Sequence, residues 1–295
     1  MLPVYWNDSI LTVAVPMFAL TFILEGLVLT RLLKKDYNIK DSATSVLMGI
    51  GSAVINLGVK IPVYFGYMWI YEHRIFTMPS VWWAFVLLFF ADDFSFYLHH
   101  RGCHQIRLFW AAHVNHHSST NYNLAVALRQ SWGELFHKYI WWTWLPFIGF
   151  NPIWIFTMMS ISLVYQYILH TELVNKLGPL EWIFNTPSHH RVHHASNTRY
   201  LDKNHAGILI IWDRMFGTFL EEKDEEKVIY GITTNINTYN PIQIATHEYR
   251  ALWKDVKRAP GFANKIKYLI MPPGWSHDGS MKTSKELQRE SGFIQ

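Results

Sequence analysis

Four histidines fall within six positions of NTPSHHRVHHASN, residues 185–197: His189, His190, His193 and His194. A second cluster, LHHRGCHQIRLFWAAHVNHH at 98–117, holds His99, His100, His104, His113, His116 and His117. Three spacings stand out: His100-x3-His104, His113-x2-His116-His117 and His190-x2-His193-His194. Residues three or four apart share one face of an α-helix, so each set can aim two imidazoles at one metal ion. Neutral imidazole suits first-row transition metals. Two or three such pairs, brought together, supply enough nitrogen for two ions.

A lone histidine is more often a surface or satisfied core residue, and His73, His205, His247 and His277 are read that way. His99 and His189 are either further ligands or neighbours of ligands. His170 is a ligand candidate because it ends an apolar segment. Zinc hydrolases need three or four ligands and a water, which eight or more histidines overshoot. Carboxylate-bridged di-iron sites repeat Glu-x-x-His on two helices. Only Glu134 to His137 shows that spacing here, and it is read as coincidence. A nitrogen-rich site of this kind suits iron handling O2. Cys103, the single cysteine, excludes an intrachain disulfide and is assigned to packing.

Membrane helices are expected to carry these rings. Half of the 295 residues are hydrophobic and only 16% are charged, against about 25% in ordinary soluble domains. The net charge of +4 sits beside apolar runs, which points to anionic lipid headgroups and not to nucleic acid. A span needs about 20 mainly apolar residues. Membrane helices are expected at 10–33, 43–70, 81–98, 135–149 and 152–169, the last two as a hairpin broken around Pro146, Gly149 and Pro152. No cleavable signal peptide is expected, since the first run is long and followed by Arg31, Lys34 and Lys35.

Arg31, Lys34, Lys35 and Lys40 flank the first loop, and only Arg74 the second, which places the first loop in the cytoplasm. All three histidine sets then reach the same membrane face. The fold class expected is all-α, an integral membrane protein of four to five membrane helices. It is a single domain, 1–295, with a cytoplasmic histidine-rich di-metal cap built from 99–134 and 170–295. Gly207 to Phe219 is read as a buried helix or strand with a turn. The basic stretch 250–267 is either a membrane-surface segment or an exposed helix pair.

The order HRxxH, HxxHH, HxxHH resembles the fatty acid hydroxylase/sterol desaturase superfamily, over about 16–274. The segments 116–131, 170–194, 201–219 and 228–244 are similar to the branch of that superfamily that cleaves alkylglycerol ethers. The resemblance implies an O2-dependent membrane oxidoreductase with two iron ions, held by His100, His104, His113, His116, His117, His170, His190, His193 and His194, with His189 as an additional candidate. It also implies a membrane lipid substrate and tetrahydrobiopterin as external reductant. The expected reaction hydroxylates the ether-linked carbon, and the hemiacetal falls apart to fatty aldehyde and glycerol.

Two departures bear on this. Gln105 stands where members carry Glu after the first box, and the chain ends soon after PPGW, where longer members continue. No dinucleotide fingerprint, haem signature or cluster-binding cysteine set is present, so electrons come from a diffusible reductant or an electron-donor protein. Asp93 is expected to line the substrate channel or orient Tyr97. Glu172 and Asp202 either orient ligands or serve as caps and salt bridges. Asn121, Asn123 and Arg129 either recognise glycerol or pterin or build their loop. The expected location is the endoplasmic reticulum membrane in a eukaryote or the inner membrane in a bacterium. The alternatives are a fatty-acid or sterol hydroxylase or desaturase fed by a cytochrome b5-like donor, and a membrane metal transporter or metal-binding protein. A transporter would place its histidines near mid-bilayer.

Overall fold

The computed structural model of the chain describes residues 9–294. Among them the architecture is all-helical; the only β pairing consists of two isolated antiparallel bridges, Phe184 with Leu209 and Ala195 with Tyr230. α1 (Ser9–Leu27) runs on into a π-helical turn, Val28–Leu32. α2 (Ile39–Glu72) starts where the Asn38 side chain accepts the Asp41 N–H. Both are long and apolar enough to cross a membrane. Val13, Val15, Leu20 and Ile23 on α1, and Leu47, Ile50, Val54 and Leu57 on α2, stand exposed. Such apolar belts suit lipid better than water.

α3 (Trp82–Gln105) carries the first histidine set at its end. Ile106, in extended conformation, interrupts the helix for one residue before α4 (Arg107–His117) carries the second. That single break lets the chain turn so that the two helices face each other. Glu25, inside the first apolar run, is buried: its carboxylate receives the Leu124 N–H at 2.6 Å and the Thr171 hydroxyl. It thereby ties α1 to the loops on either side of the histidines.

The expected helix at 135–149 is not one helix. It consists of 3₁₀ turns at Glu134–Phe136 and Lys138–Trp142 and then the short α5, Trp144–Ile148. Side bonds hold this arm. Tyr139 donates to Asn56, Trp142 to Asp92 and Trp144 to Ser95, at 2.7, 2.8 and 2.9 Å. The arm still reaches the far end of α3, because Phe147 and Gly149 accept the N–H groups of Ile75 and Met78 in the loop between α2 and α3. Gly149 has φ +114°, and a Cβ there would stand 2.2 Å from the Phe76 carbonyl. The chain then returns as α6, Pro152–Ile168, capped by Asn151 and ending beside His170.

α7 (Pro187–His193) carries the third set, with Thr186 as cap and Pro187 at the first position, where its missing N–H costs nothing. The stretch 207–219 forms a bridge residue, the short α8 (Ile211–Met215) and a turn. α9 (Pro241–Arg258) and α10 (Gly261–Ile270) follow. Their Leu252, Ala259 and Tyr268 pack on Ala111 of α4. Arg107 donates to Glu248 of α9 at 2.9 Å and forms an ion pair with Asp255 of α9 at 2.8 Å. The basic stretch 250–267 lies on this pair, with Trp253 and Phe262 exposed. α11, Ser284–Glu290, starts with a capping box of Thr283 and Glu286.

Candidate metal centre

Nine imidazoles meet in two adjoining buried pockets. His100, His104, His113, His117 and His193 form the first, and His116, His170, His190 and His194 the second; in each, one ring nitrogen per residue lies within 4.8 Å of all the others. α4 and α7 each divide their histidines by one rule. On a helix, i+4 lies about 40° round from i, while i+3 lies about 60° the other way. Hence His113 and His117 enter the first pocket and His116 the second. Likewise His190 and His194 enter the second and His193 the first.

The ring nitrogens face one another. His113 Nε2 lies 3.0 Å from His100 Nε2 and 3.2 Å from His117 Nε2. His170 Nε2 lies 3.1 Å from both His116 Nε2 and His190 Nε2, and His190 and His194 are 3.2 Å apart. Ligands held at about 2.0–2.1 Å from an ion stand about 2.9–3.4 Å from each other, so these separations match the edges of coordination polyhedra. The Nε2 atoms of His104 and His193 are buried without a partner in the protein, as a metal-directed lone pair would be.

The rear nitrogens explain which atom faces inward. His100 Nδ1 donates to the His205 carbonyl at 2.8 Å, and His193 Nδ1 to that of Lys203 at 2.9 Å. His170 Nδ1 donates to the Gln166 carbonyl at 2.9 Å. His104 and His113 donate to Asp202 and Glu134, at 3.2 and 3.1 Å. A carbonyl only accepts, so these rings carry their proton on Nδ1 and offer the Nε2 lone pair, the pattern of ligating histidines. Burial, and then the neighbouring imidazoles, hold His100, His104, His116, His117, His190, His193 and His194 well below the usual histidine range. Burial brings His170 down to about 4. These eight rings are therefore neutral, as metal ligation requires.

The other candidates are placed as follows. His189 lies in neither pocket; its Nε2 is 3.9 Å from Glu181, which also accepts the Thr186 hydroxyl at the cap of α7. Asp93 accepts the N–H groups of Ile208 and Leu209 and Trp212 Nε1, at 2.7, 3.0 and 2.9 Å. It fixes the stretch just after His205. Tyr97 pairs with the Thr218 hydroxyl and accepts from Arg101, both at 3.0 Å. Gln105 is the half-buried last residue of α3. Asn123 accepts the Ala125 N–H, and the backbone of Asn121 bonds to the Ser119 hydroxyl, so both shape their loop. Arg129 is fully buried and paired with Asp41, Ser45 and Ser118. Glu172 forms a surface pair with Lys35 at 3.6 Å.

Two residues that sequence reasoning set aside belong to the site. Glu134, whose spacing to His137 carries no di-iron repeat, holds His113. Burial opposes its charge, yet the hydrogen bond from His113 keeps its carboxyl well below the usual range. His205, read as an ordinary histidine, is fully buried with its ring 4.9 Å from that of His104. Asp213, buried behind it, receives the N–H groups of His205 and Ala206, both at 2.8 Å. The sequence signal for Glu134 was a carboxylate at the mouth of an apolar arm; for Asp213 there was none. A cavity of about 130 Å³ adjoins the first pocket, lined by His104, Trp110, His117, His193, Asp202 and Gly231 among others.

Residues 85–218, which contain every member of both pockets, match the family model described as fatty acid hydroxylase. This stretch matches that family, and its paired histidine pockets suit a metal centre. Among the similar relatives are alkylglycerol monooxygenases. The chain is 41% identical over 265 residues to that of Xenopus tropicalis, covering 88% of this chain and 58% of the relative. It is 40% identical over 269 residues to that of Homo sapiens, covering 89% and 59%. The ornithine lipid hydroxylase OlsE of Rhizobium tropici is 25% identical over 162 residues, covering 54% and 49%. The chain thus spans about three fifths of the length of the first two relatives. No solved structure matches.

Proposed function

We propose that this chain is a membrane di-iron monooxygenase that hydroxylates an ether lipid at the carbon beside the ether oxygen. The observation that carries the reading is the pair of adjoining all-histidine pockets in a chain about 40% identical to alkylglycerol monooxygenases. His100, His104, His113, His117 and His193 hold one iron; His116, His170, His190 and His194 hold the other. Bound iron supplies the activation of O2 for oxygen insertion into a C–H bond. One oxygen atom enters the substrate and the other leaves as water, with two electrons and two protons from a reductant. The hemiacetal then collapses to fatty aldehyde and glycerol.

The protein's own residues position this chemistry. Glu134, Asp202 and the carbonyls of residues 203 and 205 lock four rings of the first pocket. The exposed apolar faces of α1 and α2 keep the site at the membrane, where an alkyl chain partitions. The spans are α1, α2, the part of α3 up to residue 98 and the two arms 135–149 and 152–169, with the histidine cap, which includes the last turns of α3, on the cytoplasmic side. A water-soluble reductant, tetrahydrobiopterin, reaches the first pocket through the cavity beside Trp110. The similarity to an ornithine lipid hydroxylase favours one second reading, hydroxylation of another lipid without ether cleavage and with a protein electron donor.

The test is an assay of purified protein with iron, O2 and alkylglycerol, with and without tetrahydrobiopterin. Pterin-dependent aldehyde release is the expected result. Activity only on another lipid with a protein donor rejects the ether-cleaving reading. Retention of both metals after alanine replacement of His100, His113 and His193 together rejects the ligand assignment.

A further inference from the structure

Beside the first pocket lies a third group of metal-binding side chains that the oxygenase reading does not use. We propose that His99, Cys103 and His137 bind a third metal ion, a thiophilic divalent cation such as zinc, which clips the 3₁₀ arm to α3. Donor atoms of the three residues lie within 4.8 Å of one another. His99 and Cys103 repeat the i, i+4 spacing of His100 and His104 one residue earlier, on the adjoining helix face. His137 comes from the arm, between the two 3₁₀ turns.

The geometry fits an ion better than hydrogen bonds. Cys103 Sγ lies 3.5 Å from His99 Nε2. Tetrahedral zinc with nitrogen at about 2.05 Å and sulfur at about 2.3 Å sets the two about 3.6 Å apart. A Cys–His hydrogen bond accounts for one nitrogen of His99 but for neither nitrogen of His137. Both are inaccessible and without a partner in the protein. Glu134 Oε1 stands 3.5 Å from His99 Nε2 and is a further donor beside the group. Aromatic walls enclose the group: Phe109 stacks on His137 at 4.4 Å, and Trp141 and Trp142 lie 6.2 and 5.6 Å from the His99 ring.

The donor set chooses the ion. One thiolate and two imidazoles exclude magnesium and calcium, which take oxygen ligands, and suit zinc. The consequence is positional. Glu134 takes His113 Nδ1 on its other oxygen, so an ion fixing His137 also fixes the turn from which Glu134 reaches the first pocket.

The proposal is independent of the oxygenase reading, and its test does not use activity. The full chain, purified in detergent with zinc supplied, is analysed for metal content against Cys103→Ser and His137→Gln. One equivalent fewer in each variant, with the remaining metals retained, is the expected result. Cobalt-loaded wild type shows a near-ultraviolet thiolate-to-cobalt charge-transfer band, which Cys103→Ser lacks. The cobalt spectrum decides the matter alone if the variants fail to fold, because no other thiol exists in the chain. A wild type without that band, or variants with wild-type metal content, overturns the proposal.

Discussion

The five-histidine pocket draws on α3, α4 and α7 and has four rings held from behind, two of them by carboxylates. The four-histidine pocket draws on α4, α7 and the end of α6, where His170 is anchored by the Gln166 carbonyl. Its His116 and His190 have buried Nδ1 atoms with no partner in the protein. Tyr122 packs against it instead, its ring 5.7 Å from that of His170 and 5.3 Å from that of His194. One pocket is preorganised by hydrogen bonds that fix ring tautomer and orientation, the other by packing. Carboxylate partners also raise imidazole basicity, so the first pocket should hold its ion more tightly.

The two pockets are expected to differ most on ligand removal. His190→Ala leaves three imidazoles in the second pocket and is expected to empty it and abolish turnover. His104→Ala leaves four in the first and is expected to retain two metals. Equal losses, read by elemental analysis, would end the proposed asymmetry.

Acid is the next lever. His170 is brought down to about 4 by burial, from an unfolded value near 6.5. The unfolded chain therefore binds more protons between about pH 6.5 and 4, and stability is full above 6.5 and lost as pH falls through that window. Each ring so held contributes up to about 1.4 kcal/mol per pH unit. Unfolding of the metal-free protein across this range should be steep, and His170→Ala should reduce the slope by about one proton. An unchanged slope would mean that the ring is already charged in the folded state.

Two smaller effects sharpen the difference between the anchors. Glu134→Gln is expected to weaken metal binding in the first pocket by about 10–100-fold, the usual cost of losing an outer partner, and to leave the second pocket intact. Asp202→Asn should cost about 10-fold, the lower end of that range, because its carboxylate side chain is 33% exposed. Titration with iron or cobalt measures both; a larger loss for Asp202→Asn would reverse the ranking of the two carboxylates.

Much of the site was legible because its grammar is local. The spacings in the three histidine sets act through helix periodicity, so a shared face follows from sequence alone. The long apolar runs at 10–33 and 43–70 were equally plain. The arm at 135–149 was not, since its apolar content suits a helix but side bonds to Asn56, Asp92 and Ser95 hold it in 3₁₀ turns. Asp93 shows a related limit. Counting turns along α3 places it two turns before His100 but does not reveal the loop around Ile208 that its carboxylate holds.

Helix periodicity alone gives α4 and α7 each an i, i+4 pair and an i+3 outlier, because a 3.6-residue turn leaves no other arrangement. That the outlier of one helix joins the pair of the other, giving two pockets, follows from how the helices pack. Tertiary packing also puts Glu134 and the carbonyls of residues 203 and 205 behind the rings. Those partners lie 21 to 105 residues from the histidines they hold, apart from the ten-residue step from His193 to Lys203. No periodicity reaches across such gaps. Packing of α3 against α4, α7 and the returning arm brings them together.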